Sequence, residues 1–104
     1  MSSVIAFEGR QPEKLSRYEF QAIVRACAAS GKIGFSRHAR LGHPERHITP
    51  SMVMRCLLKG TVEGDPYLQF GDWKAEIYRH GAGEALTVVV ALQWEKRALV
   101  VTAF

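Results

Sequence analysis

Cysteine is scarce in this chain, with two in 104 residues, so a small secreted scaffold stapled by several disulfides is excluded. Cys27 and Cys56 both fall inside helical patterns among apolar neighbours, where a thiol serves as a small buried hydrophobe. Long hydrophobic runs are also missing: none approaches the roughly 20 residues of a membrane helix. The opening MSSVIAFEGR lacks the basic-then-apolar layout of a secretory signal. A protein of the cytoplasm with no membrane partner is expected. Gly81-Ala82-Gly83 has neither the third glycine nor the following helix of a dinucleotide site, and no serine sits in a Gly-x-Ser-x-Gly frame. His38, His43 and His47 do not make a metal set, because Pro44 interrupts a regular helix between them and no nearby Cys or Asp completes it. No metal or cofactor is implied.

What is present is the composition of one ordinary globular domain, 47% hydrophobic and 23% charged. Residues 1–104 read as a single unit: an arm over 1–12, a mainly helical part over 13–60 and an antiparallel sheet over 61–104. Ser16 with Glu19 forms a capping box. Phe20, Ile23, Val24, Cys27 and Ala28 then follow the spacing of a buried helical stripe, which Gly31 stops. Ile33 to Ser36 is a short β-compatible segment, and Ser36 can cap a brief helix through Leu41 that Gly42 and Pro44 end. Thr49 caps a further helix with Pro50 at its first position, an apolar face of Met52, Val53, Cys56 and Leu57, and Gly60 at its end.

After Gly60 the pattern turns to β. Tyr67–Phe70, Trp73–Tyr78, Leu86–Leu92 and Leu99–Phe104 are strand-like blocks, preceded by Thr61-Val62 and a Gly64-Asp65-Pro66 link. Links this short cannot carry the crossover of a parallel pair, so most of the sheet is expected to be an antiparallel meander. Leu86–Leu92 is apolar on both faces and should lie centrally. The expected class is α+β, with N-terminal helices packed on one face of a mostly antiparallel sheet of four to five strands.

Two features could carry chemistry. Alternation after Asp72 turns Trp73, Ala75 and Ile77 one way and Lys74, Glu76, Tyr78 and His80 the other, with about 7 Å between same-side neighbours. The second set is either a site or the solvated outer face that any half-covered sheet presents. The other feature is charge. Residues 32–59 carry Lys32, Arg37, Arg40, Arg46, Arg55 and Lys59 against Glu45 alone, while residues 60–95 carry Lys74 and Arg79 against six acids. Arg37, Arg40, Arg46 and His47 suit phosphate oxygens, since Arg offers a planar fork of donors and His titrates near neutral pH. Pairing with surface acids is the alternative.

Phe35-Ser36-Arg37-His38-Ala39-Arg40, Glu45-Arg46-His47-Ile48-Thr49, Lys59-Gly60, Leu86-Thr-Val-Val-Val and Val101-Thr-Ala-Phe104 together resemble the bacterial domain-of-unknown-function family numbered four-two-five-eight, over residues 32–104. Trp73-Lys-Ala-Glu-Ile-Tyr-Arg79 is similar to the Trp-x-Asp-Val-Tyr-Arg stretch of MqsR-type mRNA interferases, allowing one inserted residue; that family's Lys-Ser-Met-Thr segment has no counterpart. Both resemblances imply a RelE-like fold and a metal-independent endoribonuclease, the toxin of a toxin–antitoxin pair. Its partners would be RNA, including ribosome-bound mRNA, and a cognate antitoxin protein. On that reading His38 is base or acid, Tyr78 a proton donor or phosphate ligand, and Lys74 and Arg46 complete the catalytic set. Arg37, Arg40, His47 and Arg79 bind phosphate. A His38 turned into the core would instead be structural. The alternatives are a non-catalytic protein-interaction module on the same fold and a nucleic-acid-binding accessory protein.

Overall fold

The computed structural model describes residues 7–41, 47–81 and 83–104. Helix α1 (Arg17–Ser30) opens on the expected capping box: Ser16 Oγ accepts the Glu19 N–H at 3.1 Å and Glu19 Oε1 accepts the Ser16 N–H at 2.9 Å. Its five spaced apolar residues are all buried, and Gly31 ends it at φ 79°, a left-handed geometry that glycine adopts without a Cβ clash. Strand β1 (Ile33–Phe35) and the short helix α2 (Arg37–Leu41) follow. Ser36 joins them, its Oγ accepting the Ala39 N–H and donating to the Val101 carbonyl at 2.6 Å. Helix α3 (Pro50–Lys59) is capped by Thr49, whose Oγ1 accepts the Met52 N–H, and buries Val53, Cys56 and Leu57. The Gly42–Pro44 stop expected for α2 lies outside the described residues.

Gly60 closes α3, as expected, in extended backbone at φ −74°. Space, not φ, selects glycine there: a Cβ would lie 2.5 Å from the Cys56 carbonyl oxygen and 2.8 Å from Ile77 Cγ2. The chain turns at once from helix into sheet, and only a missing side chain lets the backbone pass this close to β3.

Four more strands complete one sheet: β2 (Thr61–Gln69), β3 (Asp72–Gly81), β4 (Glu84–Gln93) and β5 (Arg97–Ala103). Their order is β1-β5-β4-β3-β2, antiparallel throughout except for the parallel β1–β5 pair. The fold is α+β, as expected, with β4 central. Ile33–Phe35 is more than β-compatible: it is the fifth strand, so residues 13–60 also contribute to the sheet. The Gly64-Asp65-Pro66 link proves not to be a break. One strand runs across it, and a register shift between Glu63 and Tyr67 absorbs the extra residues.

One face of the sheet meets the helices. Trp73, Ala75 and Ile77 of β3, Leu86, Val88, Val90 and Leu92 of β4, and Ala98 and Val100 of β5 bury against Phe20, Val24 and Leu57. The outer edge at β2 is covered where α1 crosses it: Gln21 Oε1 accepts the Val62 N–H at 2.9 Å and Arg25 donates to the Gly60 carbonyl at 3.1 Å. These bonds occupy strand-edge groups that would otherwise template another chain. The arm closes the far end of the core, with Phe7 edge-on to Trp94 and the Trp73 indole N–H donating to the Pro12 carbonyl. No described helix is long and apolar enough to cross a membrane.

Candidate functional site

The other face of the sheet is built by the strand alternation read from the sequence. Lys74, Glu76, Tyr78 and His80 stand on it from β3, opposite the buried Trp73, Ala75 and Ile77. Register aligns Tyr67 of β2 and Ala91 of β4 with Lys74, Glu63 and Val89 with Glu76, and Thr61 and Thr87 with Tyr78. From β5, Leu99 lies beside Ala91, Thr102 beside Val89, and Phe104 exchanges backbone hydrogen bonds with Thr87. Among the described residues no helix packs on this face. Ala91 is only 2% exposed yet does not belong to the hydrophobic core, and the β4 side chains on this face, Thr87, Val89 and Ala91, are shorter than the Tyr78, Glu76 and Lys74 that pair with them on β3.

The residues nominated from sequence divide by layer. Lys74 and Tyr78 stand together on the open face, both half-buried. Arg79, next in the chain, is on the helix-facing side by alternation, where its charge acts on Cys56. His38, Arg37 and Arg40 lie exposed on α2. Helix α2 follows β1 directly, and β5 and β4 intervene between β1 and β3, so three interstrand steps put about 14 Å between those two backbones. The imidazole that shares the Tyr78 face of β3 is His80, two residues along the same strand and about 7 Å away by strand geometry. His47 is exposed just before α3 with a left-handed backbone at φ 47°. Arg46 lies outside the described residues.

The charge distribution also follows the layers. Residues 11–60 contain nine Lys and Arg against three acids, and residues 61–104 contain four against six. The basic field of the middle third thus belongs mainly to the helical layer, while alternation gives the open face Lys74 and Arg97 with Glu63, Asp72 and Glu76. A mixed face of this kind suits acid–base chemistry better than simple capture of a polyanion. Arg97 donates through Nε to Gln93 Oε1 at 2.6 Å and lies against Gly34, whose missing side chain leaves room for the guanidinium.

Neither cysteine takes part. Burial pushes the Cys56 thiol up to about 11, only partly offset by Arg79, and its Sγ donates to the Ile77 carbonyl. Cys27 is raised for the same reason. Thiols held protonated in this way are poor nucleophiles and poor metal ligands. Among the described residues no group of three or more His, Cys, Asp and Glu is placed to hold a metal ion. Comparison with family models, curated proteins and solved structures finds no match to the chain.

Proposed function

We propose that the protein is an RNA-cleaving enzyme working without a metal, with its reaction centre on the open face of β3. The observation that supports this reading is the presence of a carboxylate, a phenol, an imidazole and an ammonium at successive same-face positions of one strand, on the side of the sheet opposite the buried Trp73, Ala75 and Ile77. Glu76 takes the proton of a ribose 2′-hydroxyl, whose oxygen attacks the adjacent phosphorus. The bond from phosphorus to the 5′ oxygen breaks, and protonated His80 returns a proton to that leaving oxygen. Tyr78, between them, donates its O–H to the phosphorane, and Lys74, farther along the same face, holds a neighbouring phosphate of the strand. The products are a 2′,3′-cyclic phosphate and a 5′-hydroxyl.

Glu76 and His80 flank Tyr78 on one face of β3, each two residues and about 7 Å from it along the strand, so that a phosphate above Tyr78 lies between them. The RelE-like relationship, a cognate antitoxin and action on mRNA in the cytoplasm belong to the same proposal. Incubating the purified protein with RNA in EDTA tests it. Cleavage by the wild type, lost by roughly 100-fold or more in Tyr78→Phe and His80→Ala but retained in His38→Ala, is the expected result. Intact RNA after incubation with the wild type, free or ribosome-bound, would sink the enzyme reading and leave an interaction module.

A further inference from the structure

The β2–β3 hairpin breaks two local rules at once. Gln69 pairs with Asp72, so Phe70 and Gly71 form a two-residue turn with φ of 52° and 85°, the type I′ geometry in which Asn-Gly is the usual choice. A bulky residue at positive φ is strained. Phe70 is also 92% exposed, so no packing offsets that strain. A large aromatic held out in water on a strained turn has no explanation within the fold, and departures of this kind concentrate at functional positions.

The surroundings indicate what meets it. Lys74 Nζ lies 5.5 Å from the centre of the Phe70 ring and donates to Gln69 Oε1 at 2.7 Å. Since Lys74 belongs to the open face, the ring stands on that side of the tip. Tyr67, 43% exposed, is in register with Lys74 on the same face. Leu68 is more exposed still, but it pairs with Trp73 and so turns to the opposite side. The exposed apolar side chains therefore do not merge into the contiguous patch that a protein partner would cover. They leave the Phe70 ring beside one ammonium, with the Gln69 amide hydrogen-bonded to it and Tyr67 at the paired position of β2, at the hairpin end of the open face.

We infer that this hairpin tip is a stacking subsite for an unpaired nucleobase of RNA, with Phe70 and Tyr67 offering ring faces and Lys74 the adjacent phosphate contact. Aromatic rings interleaved with cations are the common means of holding single strands, because every base presents a π-face. A base inside a duplex is already stacked and cannot use the tip. The inference rests on the proposed function, since it sets this subsite on the same face as Tyr78. Lys74 and Tyr78 are four residues apart, about 14 Å along the strand, a length that a short run of extended nucleotides spans. Phe70 is accordingly a positioning residue that fixes which phosphate lies over Tyr78.

Fluorescence anisotropy with the full chain decides the matter, using a 5′-labelled single-stranded RNA, the same RNA with one abasic nucleotide, and its duplex, with Phe70→Ala and Phe70→Tyr beside the wild type. Phe70→Ala should weaken single-strand binding by roughly 5- to 150-fold, the equivalent of about 1–3 kcal/mol for one stacked base. Phe70→Tyr should restore it, duplex binding should not change, and an abasic nucleotide at the stacked position should erase the difference between wild type and Phe70→Ala. Equal affinity of wild type and Phe70→Ala for the intact strand overturns the subsite; cleavage still lost in His80→Ala would then leave the enzyme reading standing. Absence of RNA binding by the wild type overturns both. A mass that doubles in sedimentation and returns to monomer in Phe70→Ala would assign the tip to a second copy of the chain, and also refute the subsite.

Discussion

Replacing Phe70 by Asn, and separately by Ala, separates backbone strain from side-chain contact at the hairpin tip. Both substitutions remove the ring. The exposed cation–π contact with Lys74 contributes about 0.5 kcal/mol. With 92% of the residue already in water, the lost apolar burial amounts to a few tenths of a kcal/mol at about 25 cal/mol per Å². These losses are common to the two variants. The left-handed geometry at φ 52° costs an ordinary L-residue about 1–2 kcal/mol, a cost that Ala keeps and Asn largely relieves by local hydrogen bonding. Phe70→Asn should thus be as stable as the wild type or more stable by up to about 0.5 kcal/mol, and Phe70→Ala less stable by about 1 kcal/mol. Thermal unfolding would show the two variants about 4–8 °C apart, and urea titration should give unchanged m-values. Equal stability of the Asn and Ala variants would refute the strained turn. Loss of more than about 2 kcal/mol in both would show that the ring is packed rather than exposed.

Gly60→Ala places a methyl against the Cys56 carbonyl and Ile77, and should lower stability in urea by about 3 kcal/mol even though alanine accepts φ −74°; a near-neutral result would mean the α3–β2 turn is looser than described. The Cys56 thiol, held up to about 11 against 9.0 for a free thiol, makes the folded state bind its proton more tightly than the unfolded state does. Its contribution is fully present below pH 9 and is lost as pH rises toward 11, by up to about 3 kcal/mol, with Cys27 adding in the same direction. Cys56→Ala should flatten much of that alkaline slope in urea titrations from pH 8 to 11, and parallel curves for the two proteins would contradict it.

Local chemistry determined a large part of this molecule from sequence alone. The Ser16–Glu19 box, the Thr49–Pro50 start and the spaced apolar stripes specify α1 and α3, because capping and 3.6-residue periodicity act within one or two turns of chain. Alternation over Trp73–His80 likewise fixed which residues share the open face, since a strand's side-chain period is two whatever it pairs with. Short links fixed the antiparallel meander. Long-range partners were not legible. That Ile33–Phe35 pairs with β5, some sixty-five residues later, depends on contacts no local pattern encodes, and this pairing sets α2 and His38 three strands from Tyr78. Gly60 reads as a helix stop in sequence, but only packing against Ile77 shows why no other residue fits. Tertiary structure alone decided that Ile33–Phe35 joins the sheet and that β5 and β4 stand between it and β3, because the order of strands depends on how elements assemble, not on the residues within any one of them.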